Sequence, residues 1–241
     1  MKWQFTVFLS ALVLASTGHA ASRTNEPDIV DSALTKGLVP VGFDDNDRVQ
    51  VVVRGTFPST CYKVGPHEVK VDAAPKTIVL RQKAYRYKGL CLNVTVAFTQ
   101  VVEVGLLAEG QYAIEDNVSG RAIGNFSVTR STTSNPDDYL YAPVADAYSE
   151  TDANGHRWLA LTGSFPNRCM RMKEVRISYY PEVIVVQPIA EMVAATRYAP
   201  CTQGEFRYSE KVALRDSLNG GTLLHVRSMD GQAINKFIQF H

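Results

Sequence analysis

The sequence Gly55-Thr-Phe-Pro-Ser-Thr-Cys61 occurs a second time, with substitutions, as Gly163-Ser-Phe-Pro-Asn-Arg-Cys169. The Gly, Phe, Pro and Cys are identical in the two stretches, and all four lie at the same offset of 108 residues. The similarity extends in both directions with small slips of register, as insertions in surface loops produce. A repeat of this period predicts two copies of one structural unit.

The repeat also sets the expected boundaries of the two units. Thr77–Leu80 matches Val183–Val186, and Ser119–Phe126 matches Asp230–Phe237, which predicts a shared closing hairpin. We expect a first unit over residues 30–129 and a second over residues 138–241. The stretch between them, residues 130–137, is rich in Ser, Thr, Asn, Pro and Asp without apolar periodicity, which is typical of a linker.

Each unit contains two of the four cysteines, 30 residues apart in the first and 32 in the second. Four cysteines permit three pairings, and duplication favours the pairing that repeats within each copy. We therefore predict the disulfides Cys61–Cys91 and Cys169–Cys201. In the chain-entropy view, closing a loop of this length stabilises a fold by roughly 3 to 4 kcal/mol.

Alternation of apolar and polar residues predicts β strands with one buried face in Val49–Arg54, Leu92–Phe98 and Val175–Tyr179. Turn-forming residues interrupt such runs at short intervals, and Ile189–Thr196 is the best candidate for a short helix. About seven strands per unit predict an all-β chain of two tandem immunoglobulin-like (fibronectin-like) β-sandwich domains. The resemblance is one of architecture, because Trp158 precedes both cysteines of its unit instead of lying between them.

The N-terminus has the pattern of a secretion signal. Lys2 precedes an apolar run from Phe5 to Ala15, and small residues lead to a cleavage site near Ala20. The run is shorter than the roughly 20 residues that span a bilayer. We expect a signal peptide over residues 1–20, no transmembrane segment after its removal, and a periplasmic or extracellular location where disulfides persist.

The charge balance and the lack of catalytic motifs argue against two classes of function, nucleic-acid binding and catalysis. Lys plus Arg number 25 and Asp plus Glu number 24, so nothing indicates a nucleic-acid partner. The histidines beyond the signal have no metal-binding spacing, and no activated-serine motif is present. The sequence therefore predicts a protein that is not an enzyme.

Two acidic segments suggest a metal site. Oxygen ligands followed by Gly resemble the first half of a calcium loop, but Leu161 stands where the bidentate Glu belongs. The alternative is a pair of solvated turns rich in Asp and Asn. No cofactor is expected except, under the first alternative, calcium bound by Asp44, Asp45 and Asp47 or by Glu150, Asp152 and Asn154.

The dipeptides Arg86-Tyr87 and Arg197-Tyr198 precede the second cysteine of each unit. An Arg beside an aromatic ring offers stacking faces and hydrogen-bond donors to a glycan or a peptide. The alternative is a structural role, with each Tyr packed over a sheet edge.

These features favour a non-enzymatic secreted or periplasmic binding protein that presents loops of two β-sandwich modules to a protein or glycan partner. The alternative is a structural cell-envelope component that self-associates through edge strands. A third hypothesis, a hydrolase, requires His67 or His156 to converge with Glu68 or Asp152.

Overall fold

The computed structural model describes residues 26–240 of the 241-residue chain, and its regular structure consists of β strands. The predicted signal peptide lies outside the described residues. Within residues 26–240, no helix is long and apolar enough to cross a bilayer. The strands of the first half are β1 (Asp28–Ser32), β2 (Leu34–Leu38), β3 (Val49–Phe57), β4 (Tyr62–Ala73), β5 (Lys76–Arg86), β6 (Val96–Gly105), β7 (Gly110–Asp116) and β8 (Arg121–Val128). Those of the second half are β9 (Val144–Thr151), β10 (Arg157–Asn167), β11 (Met170–Tyr179), β12 (Val183–Met192), β13 (Gln203–Ala213), β14 (Gly220–Ser228) and β15 (Gln232–Phe240).

The first half is a sandwich of two sheets. Its larger sheet has five strands: β5 pairs with β4 along one side and with β1 and β7 along the other, and β8 pairs with β7. Its smaller sheet has the order β2-β3-β6. All pairs are antiparallel except β5 with β7, which run parallel.

The second half repeats this pairing for every strand except β1. Its larger sheet has the order β11-β12-β14-β15, its smaller sheet has the order β13-β10-β9, and β12 again runs parallel to β14. A bridge between Tyr141 and Ile189 of β12 takes the place of the β1–β5 pair. The predicted all-β fold of two disulfide-containing sandwiches is confirmed.

The repeated Gly-x-Phe-Pro stretch has the same structural role in both halves. A Cβ on Gly55 would lie 2.5 Å from the ring of Phe98 on the neighbouring strand β6, and that ring stacks on Phe57 at 4.3 Å. A Cβ on Gly163 would lie 2.8 Å from the ring of Tyr208, which stacks on Phe165. Glycine is therefore required in both copies, because an aromatic ring from the next strand lies over its backbone.

Each sandwich has its own apolar core between its sheets. In β3, Val49, Val51 and Val53 face inward and are fully buried. In β10, Leu159 and Leu161 face inward in the same way. This alternation is the pattern of a strand with one face on the core.

The two sandwiches also pack on each other through the outer faces of two sheets. Val52 of β3 and Leu38 of β2 meet Val183 and Val185 of β12 and Leu223 of β14 in a buried apolar cluster. Phe237 of β15 packs against this cluster. As a result, Thr222–Ser228 of β14 are buried on both faces.

Polar contacts complete this interface. Arg227 of β14 and Asp47 of the first half form a buried ion pair, with Nη2 and Oδ2 3.2 Å apart. Asn235 donates from Nδ2 to Oε1 of Gln50 at 2.7 Å, and the Arg54 guanidinium lies 4.1 Å from the ring centre of Phe237. The interface thus has an apolar centre and also contains a buried ion pair.

Two secondary-structure predictions are wrong. Strand β6 begins at Val96, so residues 92–95 of the predicted strand Leu92–Phe98 belong to the loop that contains Cys91 of the Cys61–Cys91 disulfide. The predicted helix Ile189–Thr196 is the end of β12 followed by a loop. Burial of both faces of β12 abolishes the strand alternation there, and the resulting apolar run resembles a helix.

Candidate functional site

The two disulfides close equivalent loops. Cys61 is bonded to Cys91 and Cys169 to Cys201, as predicted. We call residues 87–95, between β5 and β6, the first stapled loop, and residues 193–202, between β12 and β13, the second stapled loop. Each disulfide ties its loop to the turn that follows the Gly-x-Phe-Pro stretch.

Hydrogen bonds to the turn around Cys61 anchor the first stapled loop. The Leu92 N–H donates to Oγ1 of Thr60 at 2.9 Å, and the Thr60 N–H donates to the Leu92 carbonyl at 3.1 Å. The Tyr87 N–H donates to the Cys61 carbonyl at 2.9 Å. The loop is therefore anchored at Tyr87, at Leu92 and at its disulfide.

This fixed loop exposes apolar side chains. The relative exposure of Leu90 is 108 % and that of Leu92 is 69 %, and Val94 is half exposed. Three exposed aliphatic side chains within five residues of an anchored loop make this loop the strongest candidate for a binding surface.

The second stapled loop is anchored in the same manner but displays a different group. The Val193 N–H donates to the Cys169 carbonyl at 2.8 Å, and a backbone bridge joins Thr196 to Ala199. Tyr198, at the tip, is 93 % exposed. Its ring is thus presented to solvent on a braced turn.

The structure separates the two predicted Arg-Tyr pairs into different environments. Arg86 is the last residue of β5 and donates from Nη2 to Oδ2 of Asp28 at 2.9 Å. This hydrogen bond holds the pKa of Asp28 below its usual value and raises that of Arg86. Tyr87 lies under the Lys63 ammonium, whereas Arg197 and Tyr198 are exposed on the second stapled loop. Arg86 therefore joins β1 to β5, and Tyr198 is far more exposed than Tyr87.

The first acidic segment lies at the inter-sandwich interface. Asp47 pairs with Arg227, and Asp45 accepts a hydrogen bond from the Ser131 N–H at 2.8 Å. Asp44 is buried and accepts from the Asn46 N–H, and desolvation raises its pKa. These carboxylates hold the segment in place and attach it to the chain that follows β8.

The second acidic segment is an exposed hairpin between β9 and β10. Asp152 accepts hydrogen bonds from the N–H groups of Asn154 and His156, both at 2.9 Å, and Glu150 pairs with Lys211. Within residues 26–240, no three acidic, His or Cys side chains converge on a point that could hold a metal ion. The structure thus gives all six predicted ligand positions to turns and ion pairs, and calcium binding stays a prediction.

The histidines of the hydrolase hypothesis belong to different sandwiches. Nδ1 of His67 lies 2.7 Å from Nε2 of Gln100, while Nδ1 of His156 lies 3.2 Å from Oδ2 of Asp216. The Asp216 hydrogen bond raises the pKa of His156. Each ring is thus oriented by a neighbour on its own sandwich.

The exposed leucines were missed because the sequence pattern there is ambiguous. Leu92, Val94 and Val96 continue the alternation of β6, and that pattern predicts a buried face. The sequence feature that could have indicated a loop is Cys91 itself, because a disulfide to Cys61 constrains the residues beside it.

Burial of β14 on both faces was also missed. Its continuous hydrophobic run, Thr222–Val226, is the sequence feature that could have indicated it.

The comparisons with known proteins agree with the fold. Residues 51–128 match the sequence family described as the ORF11 beta-sandwich domain, which covers most of the first sandwich. No curated protein and no solved structure matches the chain. Part of the chain is therefore similar to a β-sandwich family, and the structure extends the same strand pairing to the second half.

Proposed function

We propose that the protein is a non-enzymatic, exported binding protein whose stapled loops dock on a protein partner. The observation that carries the proposal is the braced display of Leu90 and Leu92 in water. Two disulfides support a location outside the reducing cytosol, in the periplasm or the extracellular medium. A partner that covers Leu90, Leu92 and Val94 would gain roughly 1.5 to 3 kcal/mol for each side chain fully buried.

A protein partner fits these side chains better than a glycan. Aliphatic groups are complementary to an apolar pocket, and interface anchors are held in place before binding so that little conformational entropy is lost. Disulfide and backbone bonds provide this order in the first stapled loop. Tyr198 offers a second anchor of the kind enriched at protein interfaces.

Self-association through the edge strand β4 is less favoured. The exposed face of the edge strand β4 carries charged side chains, among them Glu68, Lys70 and Asp72, and Pro66 interrupts its backbone donors. Charges and proline on an edge strand oppose pairing with another strand. Strand β4 is therefore a poor surface for the self-association that the structural envelope alternative requires.

Affinity capture with matched baits tests the proposal. The mature protein, the double variant Leu90→Asp/Leu92→Asp and the control Lys70→Asp on β4 would each be incubated with the native envelope fraction or medium. We expect one set of proteins to be recovered by the wild type and by Lys70→Asp but not by the double variant. Equal recovery by all three baits, or sedimentation of the wild type as an oligomer without other proteins, would refute it.

A further inference from the structure

The inter-sandwich interface contains a histidine that its neighbours leave without a counter-ion. His225 of β14 is 1 % exposed, and its Nδ1 lies 2.8 Å from Oδ1 of Asn235. Asn235 uses its Nδ2 to donate to Gln50, so its oxygen accepts the proton on Nδ1. The neutral ring consequently has its lone pair on Nε2, which is buried without a partner in the described structure.

The surroundings of His225 disfavour a positive charge. Phe43 packs edge-on against the ring, with centroids 5.9 Å apart, and a cavity of about 20 Å³ adjoins it. The charged groups that line this cavity are Arg227 from β14, and Asp47 and Arg48 from the segment before β3. Asp47 is engaged by Arg227, and β15 contributes only neutral residues to the lining, among them Gln232 and Ala233.

We propose that His225 is a pH-sensitive lock, which holds the two sandwiches together while neutral and releases them when it is protonated. Opening the interface would transfer the imidazolium from an apolar, Arg-flanked site to water. The closed state binds the proton less tightly than the open state, so acid shifts the equilibrium towards the open state.

Desolvation lowers the pKa of His225 to about 4 in the closed protein, against an ordinary value of 6.5. These two pKa values fix how the stability of the interface changes with pH. Above pH 6.5 both states carry a neutral ring and the interface keeps its full stability. Between pH 6.5 and 4 only the open state takes up the proton, and the opening equilibrium constant rises by about 30-fold from pH 8 to pH 5.

Native-state hydrogen exchange of the mature protein tests the lock. Protection of amides in β3 and β14 would be measured between pH 8 and pH 4.5 and corrected for intrinsic exchange, together with the radius of gyration from solution scattering. We expect wild type and the matched control His67→Gln to open as the pH falls. His225→Gln, which cannot ionise in this range, should keep the same opening constant throughout.

Direct titration keeps the proposal testable if His225→Gln does not fold. The imidazole nitrogen shifts of His225 in the wild type would be followed by NMR spectroscopy. A pKa below 5 in the closed protein, with opening in step with protonation, supports the lock. A pKa at or above 6.5, an interface that stays closed to pH 4.5, or a variant that opens like the wild type would overturn it.

Discussion

The two sandwiches have the same pattern of strand pairing, but they contribute different sheets to their interface. The first uses the outer face of its smaller sheet, through Leu38 and Val52, and the second uses the outer face of its larger sheet, through Val185 and Leu223. The contact is therefore heterologous: equivalent surfaces do not meet. Duplication preserved the cores and the Gly-x-Phe-Pro stretch, whereas the outer faces diverged.

The closing hairpins show how such divergence occurs. The matching phenylalanines of the repeat face opposite ways: Phe126 lies across from Tyr112 and packs on the core, and Phe237 lies across from Leu223 and packs on the interface. A bulge at Ile123 shifts the register of β8, and β15 has none. A shift of one residue exchanges the two faces of a strand, which turns a core residue into an interface residue.

The largest expected effect comes from a substitution that breaks the buried ion pair of the interface. Asp47→Asn leaves the Arg227 charge buried without a partner, and this should destabilise the protein by about 3 to 5 kcal/mol. Chemical denaturation measures the loss. In the double variant Asp47→Asn/Arg227→Met the two losses should not add, because no unpaired charge remains. Additive losses would show that the pair does not couple the sandwiches.

The two stapled loops can be compared through the stability that each disulfide contributes and the rate at which it is reduced. Removal of either disulfide with paired Cys→Ala changes should cost roughly 3 kcal/mol, because the closed loops have similar lengths. Their rates of reduction should differ, since Cys91 is exposed and Cys169 is buried. Mass spectrometry after timed thiol treatment should detect Cys61–Cys91 opening first. Reduction of Cys169–Cys201 first would contradict the difference in access.

Truncation of Phe126 or Phe237 should give a smaller loss of stability, and the two losses should affect different strands. Each ring is half-buried, so Phe126→Ala and Phe237→Ala should each cost about 2 kcal/mol, less than a fully buried ring. Hydrogen exchange locates the effect. Phe126→Ala should loosen β7 and β8, and Phe237→Ala should loosen the interface strands β3 and β14. The same pattern in both variants would rule out opposite orientations.

The smallest effect concerns the exposed ion pairs between β1 and β5. Arg81 holds the pKa of Asp31 at about 2, below the ordinary 3.8. A lowered carboxyl pKa stabilises the fold above pH 3.8, and the contribution is lost as the pH falls through 2. Asp31→Asn should therefore lower stability slightly at pH 7, less so at high salt, and by much less at pH 2 than at pH 7. Thermal melts at these conditions measure it.

The features that repeat along the chain were predictable from sequence. The fold class, the pairing of Cys61 with Cys91 and of Cys169 with Cys201, and the duplicated strand β3 follow from a single offset. The features that differ between the copies were not. The ion pair of Asp47 and Arg227 joins residues 180 apart, and no local pattern encodes it. Leu92 is exposed in the loop beside the Cys61–Cys91 disulfide, although its sequence continues the alternation of β6.

The asymmetric interface is tested most directly by methyl–methyl nuclear Overhauser effects in the selectively labelled protein at pH 7. The structure predicts cross-peaks that connect the methyl groups of Leu38 and Val52 with those of Val183, Val185 and Leu223. Absence of every cross-peak between these two sets, in a protein whose two cores give their own expected cross-peaks, would contradict it.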